Sequence, residues 1–394
     1  MVTSRAASLP WLLPVVLAAA MAAAANQPAA GDDPPLPELS PGVVLEETRY
    51  PDGRLKTRAE FRRSASGRME AHGRKWHYAP EGHLLSESTW DDTRRDGPFI
   101  EYYRDGSVKR QGSYRAGRRH GRFVRFHRDG TKQVEAIYHD GRRHGPYLEW
   151  HASGTPAVEE RYVEGKLDGR RRKMRPDGSL EIEEHFRDGV RHGPLARWFP
   201  GGQQQLAVTY RDGRRQGEVV EWWANGQERM RASYGEAGFE GPHRQWYPDG
   251  SLQMEGLYEN GKPVGRWRSW HPETDEEGEG HPLATEQTYV DGVLHGTAVE
   301  RDPSGQLLSQ LEWVDGVQHG PFAEWHPNGS LRARGVYHEG EPAGTWRFWH
   351  EDGSPWSRTE HDRGRRHGRH TEWTPEGGVV RDEVYANGEL VPSP

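Results

Sequence analysis

A glycine returns at a fixed step of 24 residues: Gly73, Gly97, Gly121, Gly145, Gly169, Gly193, Gly217, Gly241 and Gly265, then, after one interval of 31, Gly296, Gly320, Gly344 and Gly368. Such self-similarity marks an array of one small supersecondary unit, and any fold must share its period. The longer interval holds Asp275, Glu276, Glu277 and Glu279 and reads as an acidic loop inserted near 272–282 without breaking the frame.

Two further glycines keep the same step. One follows nearly every anchor by nine residues (Gly82, Gly106, Gly130, Gly250), and one precedes most anchors by four (Gly117, Gly141, Gly165, Gly316). Glycine reaches positive φ where other residues are strained, so two such marks per repeat predict two short strands and two turns. Pro51-Asp52-Gly53, Pro176-Asp177-Gly178 and Pro248-Asp249-Gly250 place proline first in one of these turns. Its φ near −65° excludes a primed two-residue hairpin there and predicts a three-residue loop, a type I turn closed by a glycine G1 bulge.

This register sets the fifth residue after the anchor opposite the eleventh: Trp246 with Leu252, Trp325 with Leu331, Phe126 with Lys132, Trp150 with Pro156. Strict alternation from there gathers Val134, Leu206, Met254 and the tyrosines Tyr114, Tyr138, Tyr162, Tyr258 and Tyr337 onto one apolar face. A lone hairpin is marginal in water, so neighbouring repeats are expected to stack edge to edge. The expected fold is all-β, an elongated single-layer antiparallel β-hairpin array of about 13 repeats. With 32% hydrophobic and 29% charged residues the chain has the composition of a disordered one, but 16 Trp and 15 Tyr supply the surface a thin sheet needs to bury.

A second aromatic set lies two residues after the anchor: Phe99, Phe123, Tyr147, Trp267, Phe322 and Trp346. By strict alternation these rings fall on the opposite face, where they are expected to line an exposed partner-binding ribbon or to cover a twisted sheet.

At the N-terminus, Arg5 precedes an apolar run from Leu9 to Ala25 that ends in small residues, so residues 1–25 read as a secretory signal peptide and the mature chain as exported: periplasmic, envelope-associated or secreted. Residues 26–45 read as a Pro/Ala-rich linker, 46–388 as the repeat array with a half-repeat cap over 46–72, and 389–394 as a tail. With no Cys there is neither disulfide nor thiolate chemistry.

His72, His120, His144, His192, His295, His319 and His367 each stand just before an anchor. Two strands per repeat separate equivalent histidines by about 10 Å, too far to share a zinc that holds nitrogen at about 2.0–2.1 Å. They are read as turn residues, and neither metal nor cofactor is expected. The pairs Arg118-Arg119, Arg142-Arg143, Arg214-Arg215 and Arg365-Arg366 fall before the anchors, yet 53 Lys and Arg against 60 Asp and Glu give a net charge of −7, without the basic excess of a nucleic-acid domain. Carboxylates such as Glu101, Glu149 and Glu324 recur because the repeat recurs, whereas an active site needs one locally distinct constellation. The expectation is a protein without enzymatic activity.

Segments 258–270 and 337–349 resemble the MORN-repeat variant, in which a Tyr-x-x-Gly-x-x-x-Gly-x-Trp core is followed by an aromatic and an Asn/Asp-Gly turn. The resemblance runs over about Glu46 to Gly388 and implies β-hairpin ribbons that serve as interaction or membrane-proximal modules. Bacterial variant arrays are grouped with the YwqK-family antitoxins, which implies neutralisation of a toxin by binding it. An export signal does not suit a cytoplasmic antidote, and Arg171, Met174 and Arg301 replace aromatics. The reading that results is an exported protein–protein interaction scaffold, antitoxin- or immunity-like. Its alternative is a module that binds cell-envelope glycan or anionic lipid through exposed aromatics and Arg-rich turns.

Overall fold

The computed structural model describes residues 33–272 and 280–392. The expected signal peptide and the acidic residues Asp275 to Glu279 lie outside them. Among the described residues the chain forms 32 strands and no helix, as the glycine period demands. The chain divides into two compact units, 1–190 and 191–394.

In the first unit, strands run antiparallel in chain order from Val43–Arg49, which pairs with Leu55–Arg63, through Met69–Tyr78 and onward. Arg58 Nη1 donates to the carbonyls of Pro34 (2.8 Å) and Pro35 (2.9 Å), and Arg74 Nη2 to that of Glu38 (3.1 Å), so the described part of the Pro-rich segment is docked on the cap strands. In the second unit the pattern repeats, for instance in Gly241–Trp246, Leu252–Glu259 and Lys262–Trp270. There the base of the acidic loop is closed by His271 N–H donating to the Pro282 carbonyl (2.9 Å).

Each repeat turns twice, by different geometry. The first turn is the three-residue loop: Gly250 N–H donates to the Tyr247 carbonyl and Tyr247 N–H to the Ser251 carbonyl, both at 2.9 Å, with Gly250 at φ 91°. Asp249 Oδ1 accepts Ser251 N–H at 2.8 Å and its hydroxyl at 2.6 Å, which holds the Asp249 carboxyl below its ordinary pKa. The second turn has two residues, both at positive φ (Asp140 46°, Gly141 88°), between the paired His139 and Arg142. That is a type I′ turn, whose twist matches that of the strands. The anchor glycine does a third job. At Gly97 (φ 109°) the ladder skips, and a Cβ there would stand 3.0 Å from Thr89 Cβ of the preceding hairpin.

One element was silent in the sequence and corrects the face assignment. Between Glu101 and Tyr102, Gln245 and Trp246, and Glu324 and Trp325 the register shifts, because the returning strand carries one extra residue: Lys109, Gln253 and Arg332. The pairs Trp246–Leu252, Trp325–Leu331, Phe126–Lys132 and Trp150–Pro156 form as expected. The bulge, however, moves them to the face opposite the tyrosine row. Tyr102 shows this directly: its hydroxyl donates to Glu87 Oε1 (3.1 Å), the cross-strand partner of Ile100, while neighbouring Phe99 packs on Tyr114 with ring centroids 5.3 Å apart.

Candidate functional site

The six rings proposed as an exposed ribbon lie on the tyrosine face, and this is a correction. Phe99, Tyr147 and Trp346 are 3%, 8% and 5% exposed, and Phe123, Trp267 and Phe322 are half-buried. Phe123 sits between Tyr114 (5.7 Å) and Tyr138 (5.1 Å), Tyr147 beside Tyr162 (6.0 Å), Trp267 beside Tyr258 (5.0 Å), and Phe322 and Trp346 flank Tyr337 (5.8 and 4.9 Å), mostly edge to face. Such pairs add about 0.5–1.5 kcal/mol each beyond their buried area. The rings therefore join repeat to repeat, and the opposite face also buries residues such as Ile100 and Val124.

In several repeats the cross-strand register sets the residue two places after an anchor opposite the one fifteen places after the previous anchor. Ser88 faces Phe99, Ala136 faces Tyr147, Val208 faces Val219, Leu311 faces Phe322 and Thr359 faces His370. Size compensates at the two tryptophans, whose partners are glycines: a Cβ on Gly256 or Gly335 would stand 2.1 or 2.2 Å from Trp267 or Trp346, and one on Gly112 would stand 2.7 Å from Phe123. Chemistry compensates too. Thr359 Oγ1 and His370 Nδ1 are 2.7 Å apart. Arg171, in an aromatic's place, is held by Glu160 (2.9 Å) and Glu184 (3.0 Å), both nearly buried.

The arginine pairs divide their labour. The second member lies over the rings: Arg143 stands 4.2 Å from the Tyr147 centroid and 5.0 Å from that of Tyr162, and donates to Tyr162 Oη at 2.9 Å. Arg119 and Arg215 do the same for Tyr138 (3.2 Å) and Tyr234 (2.8 Å). The first member is exposed. Arg94, Arg118, Arg142 and Lys166 follow successive type I′ turns, and the next turn's glycine in each case abuts them: a Cβ on Gly117, Gly141, Gly165 or Gly189 would lie 3.9, 3.7, 3.7 or 3.8 Å from their Cβ atoms. They form one column in the first unit.

Most histidines are staples between repeats. Those before the anchors meet the next type I′ turn, either through its N–H, as Glu339 N–H donates to His319 Nδ1 (3.4 Å), or through its carboxylate, as in His192–Asp212 (3.1 Å). At the three-residue turns, His326 Nε2 donates to the Trp349 carbonyl (3.1 Å), as Tyr247 Oη does to that of Trp270 (2.7 Å) and Trp223 Nε1 to that of Trp246 (2.9 Å). Sequence reasoning missed this second row, although a Tyr, Trp or His six residues after the anchor in repeat after repeat was its signal.

In the second unit the rim of type I′ turns changes character. Val290 pairs with Val293 and Val314 with Val317 across consecutive turns, and the four are 50%, 43%, 43% and 44% exposed. Elsewhere these positions are mostly charged, as in Asp91–Arg94, Arg115–Arg118 and Asp362–Arg365. A Cβ on Gly316 would meet Val293 Cγ1 at 2.7 Å and one on Gly340 would meet Val317 Cγ1 at 3.3 Å, so the turns are adjacent and the valines form a patch. Exposed Asp291, Asp315, Glu339 and Glu341 edge it.

Residues 95–116 and 239–260 match the family model described as the MORN repeat variant. Both matched segments start two residues before an anchor, at Arg95 and Phe239, and end on the first residue of a type I′ turn, Ala116 and Asn260. Each matched segment is thus one hairpin plus its ring-covering residue, and repeats of this kind suggest a repeat-based binding module. No curated protein matches the chain. Among solved structures the chain is similar to TcdB2-TccC3 without its hypervariable C-terminal region (12% identity, TM-score 0.15, covering 84% of this chain and 20% of that one). A Photorhabdus luminescens Tc holotoxin pore gives 10% identity and TM-score 0.15 over 86% of this chain and 24% of that one. The chain spans about a fifth to a quarter of those chains, and likeness at this level carries no argument about its activity.

Proposed function

We propose that this chain is an exported, non-enzymatic binding module that captures a partner protein at the valine-lined turns of its second unit. The observation that carries this is the patch of Val290, Val293, Val314 and Val317, where a mostly charged rim is apolar on both sides of two consecutive turns; exposed apolar patches rimmed by polar groups mark protein interaction sites. The four acidic neighbours set the partner's chemistry: an apolar segment flanked by Lys or Arg. If the partner is a toxin, as the resemblance to YwqK-family antitoxins implies, occupying this patch is the neutralising contact.

A second reading rests on the column Arg94, Arg118, Arg142 and Lys166, at a stride of about 10 Å, which suits an anionic lipid surface or envelope polymer. Exposed aromatics no longer support it, since the six rings are packed between repeats. One experiment separates the two. The mature chain, V293K/V317K and R118E/R142E are each used as bait on an envelope extract, and each is also tested for sedimentation with anionic vesicles and cell-wall glycan. Loss of a captured protein with V293K/V317K alone supports the first reading. Its retention by that variant overturns it, and vesicle or glycan binding lost with R118E/R142E supports the second.

A further inference from the structure

We infer that His120, His139 and Asp140 form a divalent transition-metal site that bridges two successive repeats of the first unit. The site rests on observations independent of the partner reading and lies in the other unit.

The three residues come from two places in the fold. His120 precedes anchor Gly121, and His139 and Asp140 begin the next type I′ turn. His120 Nδ1 is 3.2 Å from Asp140 Oδ1, and His139 Nδ1 is 4.0 Å from Asp140 Oδ2. One donor atom from each lies within 4.8 Å of the others, and among the described residues this is the group of His and carboxylate side chains that converges so. A tetrahedral ion with bonds of about 2.0–2.1 Å sets its ligands roughly 3.3 Å apart. The two measured separations bracket that value, and His139 and Asp140, both about half exposed, need only small rotations to close on it.

Equivalent histidines such as His120 and His144 stand a full repeat apart, whereas His139 has a different place in the repeat. Its imidazole lies between theirs, with ring centroids 5.2 Å from His120 and 5.9 Å from His144. The staple between repeats does not need it. His192–Asp212 (3.1 Å) and His295–Asp315 (3.4 Å) make the same contact with Arg211 and Val314 at the corresponding position. His139 is thus a donor added to a joint that is complete without one. Arg142, its cross-turn partner, is exposed, so its cation is not confined against the site.

Two imidazoles and one carboxylate favour Zn²⁺, Ni²⁺ or Cu²⁺ over Mg²⁺ or Ca²⁺, which prefer all-oxygen shells. Three protein ligands leave at least one position to solvent. A near-copy supplies the control: His319 and His338 bring their rings to 5.1 Å, followed by Glu339, without the convergence.

The test is titration of the tag-free mature chain with Zn²⁺ by calorimetry, and with Co²⁺ by visible absorbance, for wild type, H139V, D140N and H338V. Valine is the natural residue at this place in the 163, 290 and 314 turns, so H139V is expected to keep the far-UV spectrum unchanged. The expected result is one equivalent bound by wild type and H338V, absent in H139V and D140N, with the Co²⁺ band lost in the same two. Equal stoichiometry and affinity in wild type and H139V overturn the inference, as does a wild-type chain that binds no equivalent.

Discussion

The indole of Trp267 fills the space a side chain at 256 would occupy: a Cβ on Gly256 would stand 2.1 Å from its Cδ2. Gly256 lies in the strand Leu252–Glu259 at ordinary φ, so here the glycine answers a neighbour and not a turn. G256A destabilises the second unit by about 1–3 kcal/mol through overpacking, and adding W267L recovers most of it. Urea unfolding of the two variants and of W267L alone gives the coupling; strict additivity would refute the contact.

Arg171 replaces an aromatic and stands between Glu160 and Glu184. R171M leaves two nearly buried carboxylates without this cation and is expected to cost about 3–5 kcal/mol, whereas R171L/E160A/E184A, which removes the charges together, recovers stability. Denaturant midpoints of the first unit at neutral pH decide. An R171M midpoint close to wild type would mean that the triad is solvated.

Arg142 and Arg143 are adjacent but not equivalent. R143A loses two ring contacts and the bond to Tyr162 Oη and is expected to cost about 1 kcal/mol. R142A, exposed, stays within about 0.5 kcal/mol of wild type. Thermal melts of the two single variants suffice, and equal shifts would contradict the division of roles.

His243 is buried among Phe239, Tyr258 and Trp267, and burial holds its pKa below the ordinary value. The unfolded chain takes up this proton near pH 6.5, the folded chain only at lower pH. Stability is therefore steady above about pH 6.5 and declines as pH falls from there toward the folded value. His361, lowered by burial and by Arg366 and His370, acts with the same sign. Urea midpoints at pH 7.5 and 5.5 should differ less for H243L than for wild type, with a residue left by His361. An identical difference in both proteins would rule out the assignment.

The fold was legible because its turns are written in glycine and proline, residues whose conformational demands are local: Pro248-Asp249-Gly250 specifies its own loop. The faces were not, because the bulge at Gln253 or Lys109 carries no such residue, and one unmarked insertion inverts the parity of everything beyond it. That inversion exposed the six rings on paper while the protein packs them. The pairing of Gly256 with Trp267 and of Glu160 with Arg171 lies in the sequence too, but only a known register says which positions to compare. The valine patch was equally visible as Val290, Val293, Val314 and Val317, and passed unnoticed because those positions are mostly charged in other repeats.

The matching of each ring to the residue fifteen places past the previous anchor gives the array a fixed order. Move the hairpin bearing Trp267 behind the one bearing Glu160, and an indole meets a carboxylate; copy it behind itself, and the second indole meets Gln287, whereas a copy of the segment between two successive three-residue turns carries Gly256 and Trp267 together. A gene of this kind can therefore lengthen by duplicating a stretch from one three-residue turn to the next more readily than by shuffling hairpins, and each such copy is free to diverge only in step with the neighbour it touches.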